Sequence, residues 1–546
     1  MTRRLLACAL VVGMALMAMG PARLGSFIYD DQDYVLDNPA VVGSASPWTT
    51  PLGAPSQALW RPLTVATFRA QWDGSPRAAP FLVANMLLHA GASVLLLASR
   101  LGLGAGGSLL AALLFAAHPV HAEAVAWVSG RAELLAALFV LAAWLAHLSE
   151  RRAAPWVAAL LLALALLSKE NALLAPALFA IADVALGRRA VPWRRLALLA
   201  FVATGAWLAR LHFLPHALPE AAPFGDVPLT GRGLVALGIL GRAFTLLAWP
   251  LPQRIFYPRD EFLALQPATL AVLVMVGLAA LLLWRRQRLA ALALLLVPVS
   301  LLTVLNLVPI GATFALRFLY LPSAFFCLAV GALIAARGRH ELASGRGLGA
   351  SLAVTALTLG LALPACRSAA EVFHDDLALW THEAAVAPWV AHARYNHGYF
   401  LDAAGRSVSE APDRPGAEDE LLASLRLDPG HLYAGSAEYL LGNIALRGAG
   451  RATPNVPLAA QHYRDALAHQ PALIDARINL ASIAVSAPEV VGRGEALVTL
   501  AGLASESGLR DDQRRTVAEL RAQLAGTPAG GSAPPPATGT SSPDGS

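Results

Sequence analysis

Charge is the first thing this sequence is short of. Asp, Glu, Lys and Arg make up 14% of its 546 residues and hydrophobic residues 56%, whereas a soluble globular chain carries about 25% charged residues. A chain so apolar cannot cover a water-facing surface, which sets aside secreted enzymes, cytosolic enzymes and nucleic-acid binders despite a formal net charge of +5. Cysteine is nearly absent too. Cys8, Cys327 and Cys366 lie far apart in apolar runs, too few and too scattered for a disulfide framework or a thiolate metal site. Lysine is almost missing: Lys169 stands alone against forty arginines.

What is there instead is a series of charge-free windows, among them 5–22, 78–99, 101–122, 134–149, 153–168, 262–284, 289–316, 318–336 and 347–366. Most match the roughly 20 apolar residues that span the hydrocarbon of a bilayer. After Arg367 no apolar window of that length occurs. The chain therefore divides into a polytopic membrane domain, 1–366, a soluble domain, 367–524, and a Gly/Pro/Ser/Thr-rich tail, 525–546, that reads as disordered. Arginines gather in short connections: Arg3 and Arg4, Arg100, Arg151 and Arg152, Arg188 with Arg189, Arg194 and Arg195, Arg285 with Arg286 and Arg288, then Arg337, Arg339 and Arg346. Basic residues in short loops mark the cytoplasmic side. Placing them all inside gives one path of about eleven helices, with a cytoplasmic N-terminus, an uncleaved first anchor and residues 367–546 outside. The stretch Leu234 to Trp249, interrupted by Arg242, reads as a helix lying along the outer surface.

The outer loops hold the chemistry. Asp30 and Asp31 stand just beyond the first helix among Phe27, Ile28, Tyr29 and Tyr34. Carboxylates held among aromatics are partly desolvated, which raises their pKa and favours general-base behaviour; the alternative is a solvated acidic loop. The segment Leu59 to Arg69 begins a helix at Pro62 and reads as interfacial, with Trp60, Leu63 and Phe68 as apolar anchors.

In the second loop His118, His121 and Glu123 could invite a metal. Pro119 sits between the histidines and no H-E-x-x-H pattern follows, so they read rather as hydrogen-bonding groups at a helix end. Glu123, at the mouth of an apolar helix, needs water or a cationic partner; Arg131 and Glu133 open the next span. Lys169 and Glu170 sit in a very short loop, where the lone lysine either supplies a compact ammonium or snorkels. Arg317 is the only charge between Arg288 and Arg337. An intramembrane arginine calls for an anionic partner, here a structural carboxylate or a ligand phosphate.

From about residue 376 the pattern becomes helical repeats. Gly398 and Gly442 sit within helical runs, and Pro429 and Pro471 close the pairs. This is a tetratricopeptide-like signature with irregular periods, interrupted near 407–416 and 449–456.

Together Phe27-x-Tyr29-Asp30-Asp31, Trp60-Arg61-Pro62-Leu63-Thr64, His118-Pro119-Val120-His121-x-Glu123, Gly130-Arg131-Ala132-Glu133, Ser168-Lys169-Glu170, the run from Arg317 to Ser323 and the repeats resemble the transmembrane and tetratricopeptide-repeat O-mannosyltransferases, which are type C glycosyltransferases. The segment Leu251 to Tyr257 departs from the family pattern. The resemblance implies a bacterial relative in the inner membrane, with its repeat domain on the periplasmic face. It implies an inverting enzyme that moves a sugar such as mannose from a polyprenyl phosphate donor to hydroxyls of extracytoplasmic proteins. Membrane lipid and the acceptor protein would be its partners, with no nucleic acid. No cofactor is called for beyond the lipid-linked donor, no residue set is assigned to a metal, and a divalent ion stays open. Asp30, Asp31 and Glu123 would be catalytic, and Arg317, Lys169 and Tyr320 would bind the donor phosphate. His118, His121, Arg131, Glu133 and Glu170 would support them. A type C enzyme acting on a lipid or glycan, or a non-enzymatic membrane-anchored repeat scaffold, is the rival reading.

Overall fold

The computed structural model describes residues 2–526 apart from 54–58, 99–102, 186–191, 215–221, 265–266, 344–348, 410, 412–413, 450–452, 502 and 504–508. Arg100, Arg188, Arg189 and Arg346, and the tail from 527, lie outside the described residues. The described chain is all helical: no strand occurs in it, only isolated bridges. It divides into two compact units between Ala378 and Leu379. That is later than the expected boundary at 366, because the last helix of the first unit continues through Glu371.

The first unit begins with α1 (Thr2–Ala18), α2 (Pro62–Gln71), α3 (Ala79–Leu97), α4 (Gly104–Ala116), α5 (Ala122–Ala126), α6 (Arg131–His147) and α7 (Ala154–Ser168). It continues with α8 (Ala175–Ala185), α9 (Trp193–Phe213), α10 (Leu229–Ala248), α11 (Leu270–Trp284), α12 (Arg288–Leu301), α13 (Tyr320–Ala343) and α14 (Gly349–Glu371). Proline opens α2, and also stands in the first turn of α3 and α7, where its missing N–H costs nothing. Where α4 crosses α13, Gly107 faces Gly331. A Cβ on Gly331 would lie 2.6 Å from the Gly107 carbonyl oxygen, so only glycine permits this close approach of two apolar helices.

The protein is a multi-pass membrane protein. Seven described helices are long and apolar enough to cross a bilayer, or eight if the bent pair Gly104–Ala116 and Pro119–Ala126 counts as one span. The expected path of about eleven also requires shorter apolar helices, including α7 and α12, to cross. Leu229–Ala248, expected from the sequence to lie along the outer surface, is among the seven by length and composition, and it is tied to the rest of the unit at three points. Near its start Arg232 reaches the Leu307 carbonyl at 3.5 Å. At its middle Gly241 lies against the Ala268 backbone, and at its end Leu247 accepts a 3.0 Å bond from His118. Two further bonds join the beginning of the unit to its last helix and the residues that follow: the Ser26 amide donates to the His374 carbonyl at 2.8 Å, and Arg367 Nη1 to that of Met17 at 2.7 Å.

The first loop is packed. Val35, Val41, Leu52, Val65, Phe68, Phe81 and Val128 form a small core beneath it, so the reading of a solvated acidic loop does not hold. Nor are Trp60 and Phe68 lipid anchors. Trp60 is buried and stacks on Phe213 at 5.5 Å, with its indole N–H on the Trp48 carbonyl, and Phe68 is fully buried. The aromatic positions that looked lipid-facing in sequence turn inward, because folding the loop back makes them its core.

The second unit contains α15 (Ala391–Ala403), α16 (Ala417–Leu427), α17 (Ala434–Arg447), α18 (Val456–His469), α19 (Ile474–Ser486), α20 (Arg493–Ala501) and α21 (Asp511–Ala525). Successive helices pack in a repeat-like array. Gly442 of α17 lies under the Tyr463 ring of α18, where an added Cβ would meet the ring at 2.6 Å. The Tyr463 hydroxyl donates to Asn443 Oδ1 at 2.7 Å, and Asn479 donates to the same oxygen at 3.0 Å, so one polar knot joins three helices.

Candidate active site at the loop end of the bundle

Asp30 and Asp31 have opposite surroundings. Asp31 is wholly buried. Its Oδ2 accepts from the Ile28 amide at 3.1 Å, and its Oδ1 accepts from the Ser129 amide at 2.9 Å and from the Ser129 hydroxyl. Burial pushes its carboxyl up to about 7 against the pull of those three bonds, with Asp30 adding to the rise. Both oxygens are taken up in pinning the first loop to the second. Asp30 is half-buried and makes no side-chain hydrogen bond or ion pair among the described residues. Burial raises it to about 6; the positive charge of Arg317 opposes the rise, and Asp33 and Glu123 add to it.

The second loop is buried from end to end, since every residue from Leu114 to Ala137 is enclosed. Asn85 of α3 holds it, donating to the Trp127 carbonyl at 2.9 Å and accepting from Arg131 Nε at 2.9 Å. Arg131 also donates to the Phe81 carbonyl at 2.9 Å and lies 4.7 Å over the Phe68 ring. It is a strut inside the protein. This scaffold presents Glu123 to Arg317: one carboxylate oxygen takes the Arg317 backbone amide at 2.8 Å and the other pairs with Nη1. Arg317 lies 5.1 Å over Trp127 and 5.3 Å over Phe318. Its remaining guanidinium N–H groups make no hydrogen bond among the described residues, and about a fifth of the side chain is exposed. Of the two partners left open by the sequence, the carboxylate is therefore present, and it occupies one edge of the fork.

Lys169 is buried, pairs with Glu133 and lies 5.3 Å from the Phe318 ring centre. Glu170 takes Arg61 in a two-pronged pair at 3.1 and 2.6 Å. Burial alone would raise Glu170, but Arg61, with Lys169 and Arg210 adding, holds it well below the usual carboxylate range. Asp30, Glu123, Arg317, Lys169, Glu133, Arg61 and Glu170 thus form a chain of neighbouring opposite charges at the loop end.

Three residues named from the sequence point elsewhere. The Tyr320 hydroxyl is buried against His89 Nδ1 at 2.8 Å, so Tyr320 does not face the Arg317 fork. A phenol next in sequence to such a cluster is turned inward by the helix that begins at that residue. His121 Nε2 meets the Ser323 hydroxyl at 2.7 Å, in the same buried group. His118 bonds the Leu247 carbonyl and caps the amide of Val120 through Nδ1. Reasoning from sequence missed Asn85, His89, Ser129 and the Glu170 partner Arg61. A signal for two of them existed: Asn85 and His89 are polar, four residues apart within an apolar run, hence on one helix face. The one group of potential metal ligands that converges among the described residues is Glu438, His462 and Asp465 in the second unit, with His462 Nδ1 2.6 Å from Glu438 Oε2.

Several curated proteins are similar to this chain. Human protein O-mannosyl-transferase TMTC4 is 38% identical over 170 residues, covering 25% of this chain and 22% of that protein. Human protein O-mannosyl-transferase TMTC3 is 38% identical over 149 residues, 25% and 16% of the two chains. Protein O-mannosyl-transferase Tmtc2 of Drosophila melanogaster is 36% identical over 206 residues, 34% and 22%. Over these stretches the chain is similar to proteins named as TMTC protein O-mannosyl-transferases. It matches about a fifth of the length of these relatives. No protein-family model and no solved structure matches it. The segment that departs from the family pattern carries charge of its own: Arg254 pairs with Glu261 at 2.7 Å and lies 4.8 Å over Tyr257.

Proposed function

We propose that the protein is an inverting glycosyltransferase that moves mannose from a polyprenyl phosphate donor to hydroxyls of extracytoplasmic proteins. The single observation that carries this is the placing of a carboxyl raised to about 6 and without a side-chain hydrogen bond among the described residues, Asp30, within the electrostatic influence of an arginine whose fork is half open, Arg317. The acceptor oxygen attacks the anomeric carbon as the bond from that carbon to the phosphate oxygen breaks. The acceptor proton passes to Asp30, and the polyprenyl phosphate leaves with the bonding pair. A single displacement inverts the anomeric centre. A phosphate leaving group in a low-dielectric site needs fixed positive charge, which the open edge of Arg317 supplies with forked donors suited to phosphate. Glu123 holds that fork in place, and Lys169 adds positive potential while paired to Glu133.

The names of the relatives support the sugar and the protein acceptor. In this reading the loop end faces the periplasm from a bacterial inner membrane, and the second unit engages the acceptor protein. Membranes carrying the protein, given radiolabelled polyprenyl phosphate mannose, should transfer label to protein. Label appearing in lipid or glycan instead would replace the acceptor assignment, and no transfer at all would leave the scaffold reading standing.

A further inference from the structure

Asp376 lies far from Asp30 in sequence but is bonded to its neighbour. Tyr29 has a φ of +52°, in the left-handed region that bulky residues rarely adopt. Such a conformation persists only where the surroundings over-determine it, and it recurs at functional sites. Here the Tyr29 amide donates to Asp376 Oδ1 at 3.0 Å. The Tyr29 ring meets Trp127 edge-on at 5.9 Å. The chain on either side is pinned as well, Ser26 by the His374 carbonyl and Ile28 by the Asp31 carboxylate. Of these holds, only Asp376 takes the amide of the left-handed residue itself.

We propose that Asp376 is a positioning residue for Asp30: by accepting the Tyr29 N–H it fixes the left-handed turn that sets the Asp30 carboxyl beside Arg317 and Glu123. The role rests on the reading of Asp30 as base. Asp376 acts through hydrogen-bond geometry. It is absent from the charges that move the Asp30 pKa, which are those of Arg317, Asp33 and Glu123. A neutral acceptor in the same place should therefore serve.

The test uses the full chain, purified in detergent, with polyprenyl phosphate mannose as donor and a serine/threonine-rich peptide as acceptor. Asp376→Ala should lower kcat by about tenfold or more while the donor KM stays within about twofold, because Arg317 is untouched. Asp376→Asn, which keeps the Oδ1 acceptor, should stay within about threefold of wild-type kcat with the same acid limb in its pH profile. Adding Tyr29→Gly to Asp376→Ala should recover part of the loss, since glycine takes positive φ without steric cost. Wild-type kcat in Asp376→Ala, beside an inactive Asp30→Asn, overturns the proposal. So does a folded Asp376→Asn that loses about tenfold, and that comparison decides the matter even if the alanine variant does not accumulate. Transfer that survives Asp30→Asn is a different failure: it removes the base assignment, and the positioning role with it.

Discussion

Adjacent carboxylates with the same charge should give opposite phenotypes, and this is the most direct test of the site. Asp30→Asn removes a proton acceptor that makes no hydrogen bond among the described residues. Nothing in the fold depends on it. Transfer should fall by about 10²–10⁴-fold, the usual contribution of a general base, with no loss of melting temperature, since the buried charge that goes was itself a cost above about pH 6. Asp31→Asn is isosteric but replaces one accepting oxygen with an N–H₂. Three donors converge on that carboxylate, the Ile28 amide and the amide and hydroxyl of Ser129, and a side-chain amide cannot satisfy them all. A buried donor left without its partner costs about 1–3 kcal/mol. Asp31→Ala strands all three and should cost about 2–5 kcal/mol, the range typical of breaking a buried hydrogen-bond network. The assay pairs thermal unfolding in detergent, followed by tryptophan fluorescence, with mannose transfer from polyprenyl phosphate mannose. The reasoning is refuted if Asp31→Asn melts like wild type yet transfers nothing, while Asp30→Asn transfers normally. The two roles would then be exchanged.

The same pair makes two predictions about pH. Burial sets both carboxyls above their ordinary 3.8, at about 6 and about 7, so the folded state holds their protons more tightly than the unfolded chain does; the resulting stabilisation is complete below about 4 and is lost as pH rises through about 7. Melting temperature should therefore rise on acidification from about pH 8 to about pH 5, and Asp31→Asn should flatten that rise; a rise of equal size in the variant would show that other groups carry it. Activity should run the other way: with a base of pKa near 6, kcat/KM should be about tenfold lower at about pH 5 than at about pH 8. Arg317→Gln, which removes the charge that lowers Asp30, should move that limb to higher pH, and an unmoved limb would separate Asp30 from Arg317. Arg317→Lys keeps a cation for Glu123 but loses the fork, so donor KM should rise with little change in melting temperature; Arg317→Ala should in addition destabilise by about 3–5 kcal/mol, because Glu123 would remain buried without its partner. Deleting residues 391–546, which leaves the helix Asp376–Val386 whole, should spare transfer to a short peptide and abolish modification of a whole protein acceptor, and equal loss on both would make the second unit structural.

Why some of this was legible in the sequence, and some not, follows from the physics of each residue. Apolar runs of span length, the scarcity of charge and the proline- and glycine-punctuated repeats carry their information locally, so the helical bundle and the second helical unit could be read residue by residue. Asp30, Glu123, Lys169 and Arg317 stood out because a charge in an apolar setting requires a partner. Which partner each takes is a matter of tertiary geometry. The Arg317–Glu123 pair joins positions 194 residues apart and the Arg61–Glu170 pair positions 109 apart, separations about which local pattern says nothing. Tyr320 shows the limit most sharply. It follows Arg317 by three residues, but the helix that begins at Tyr320 turns its hydroxyl onto His89, so proximity in sequence did not place it in the charged cluster. The Asp30–Asp31 pair shows the reverse: identical residue types, adjacent, were indistinguishable until the fold gave three donors to one and, among the described residues, none to the other. A residue proposed as base must be left uncommitted by the fold, and among the described residues that condition is met by what surrounds Asp30 rather than by Asp30 itself.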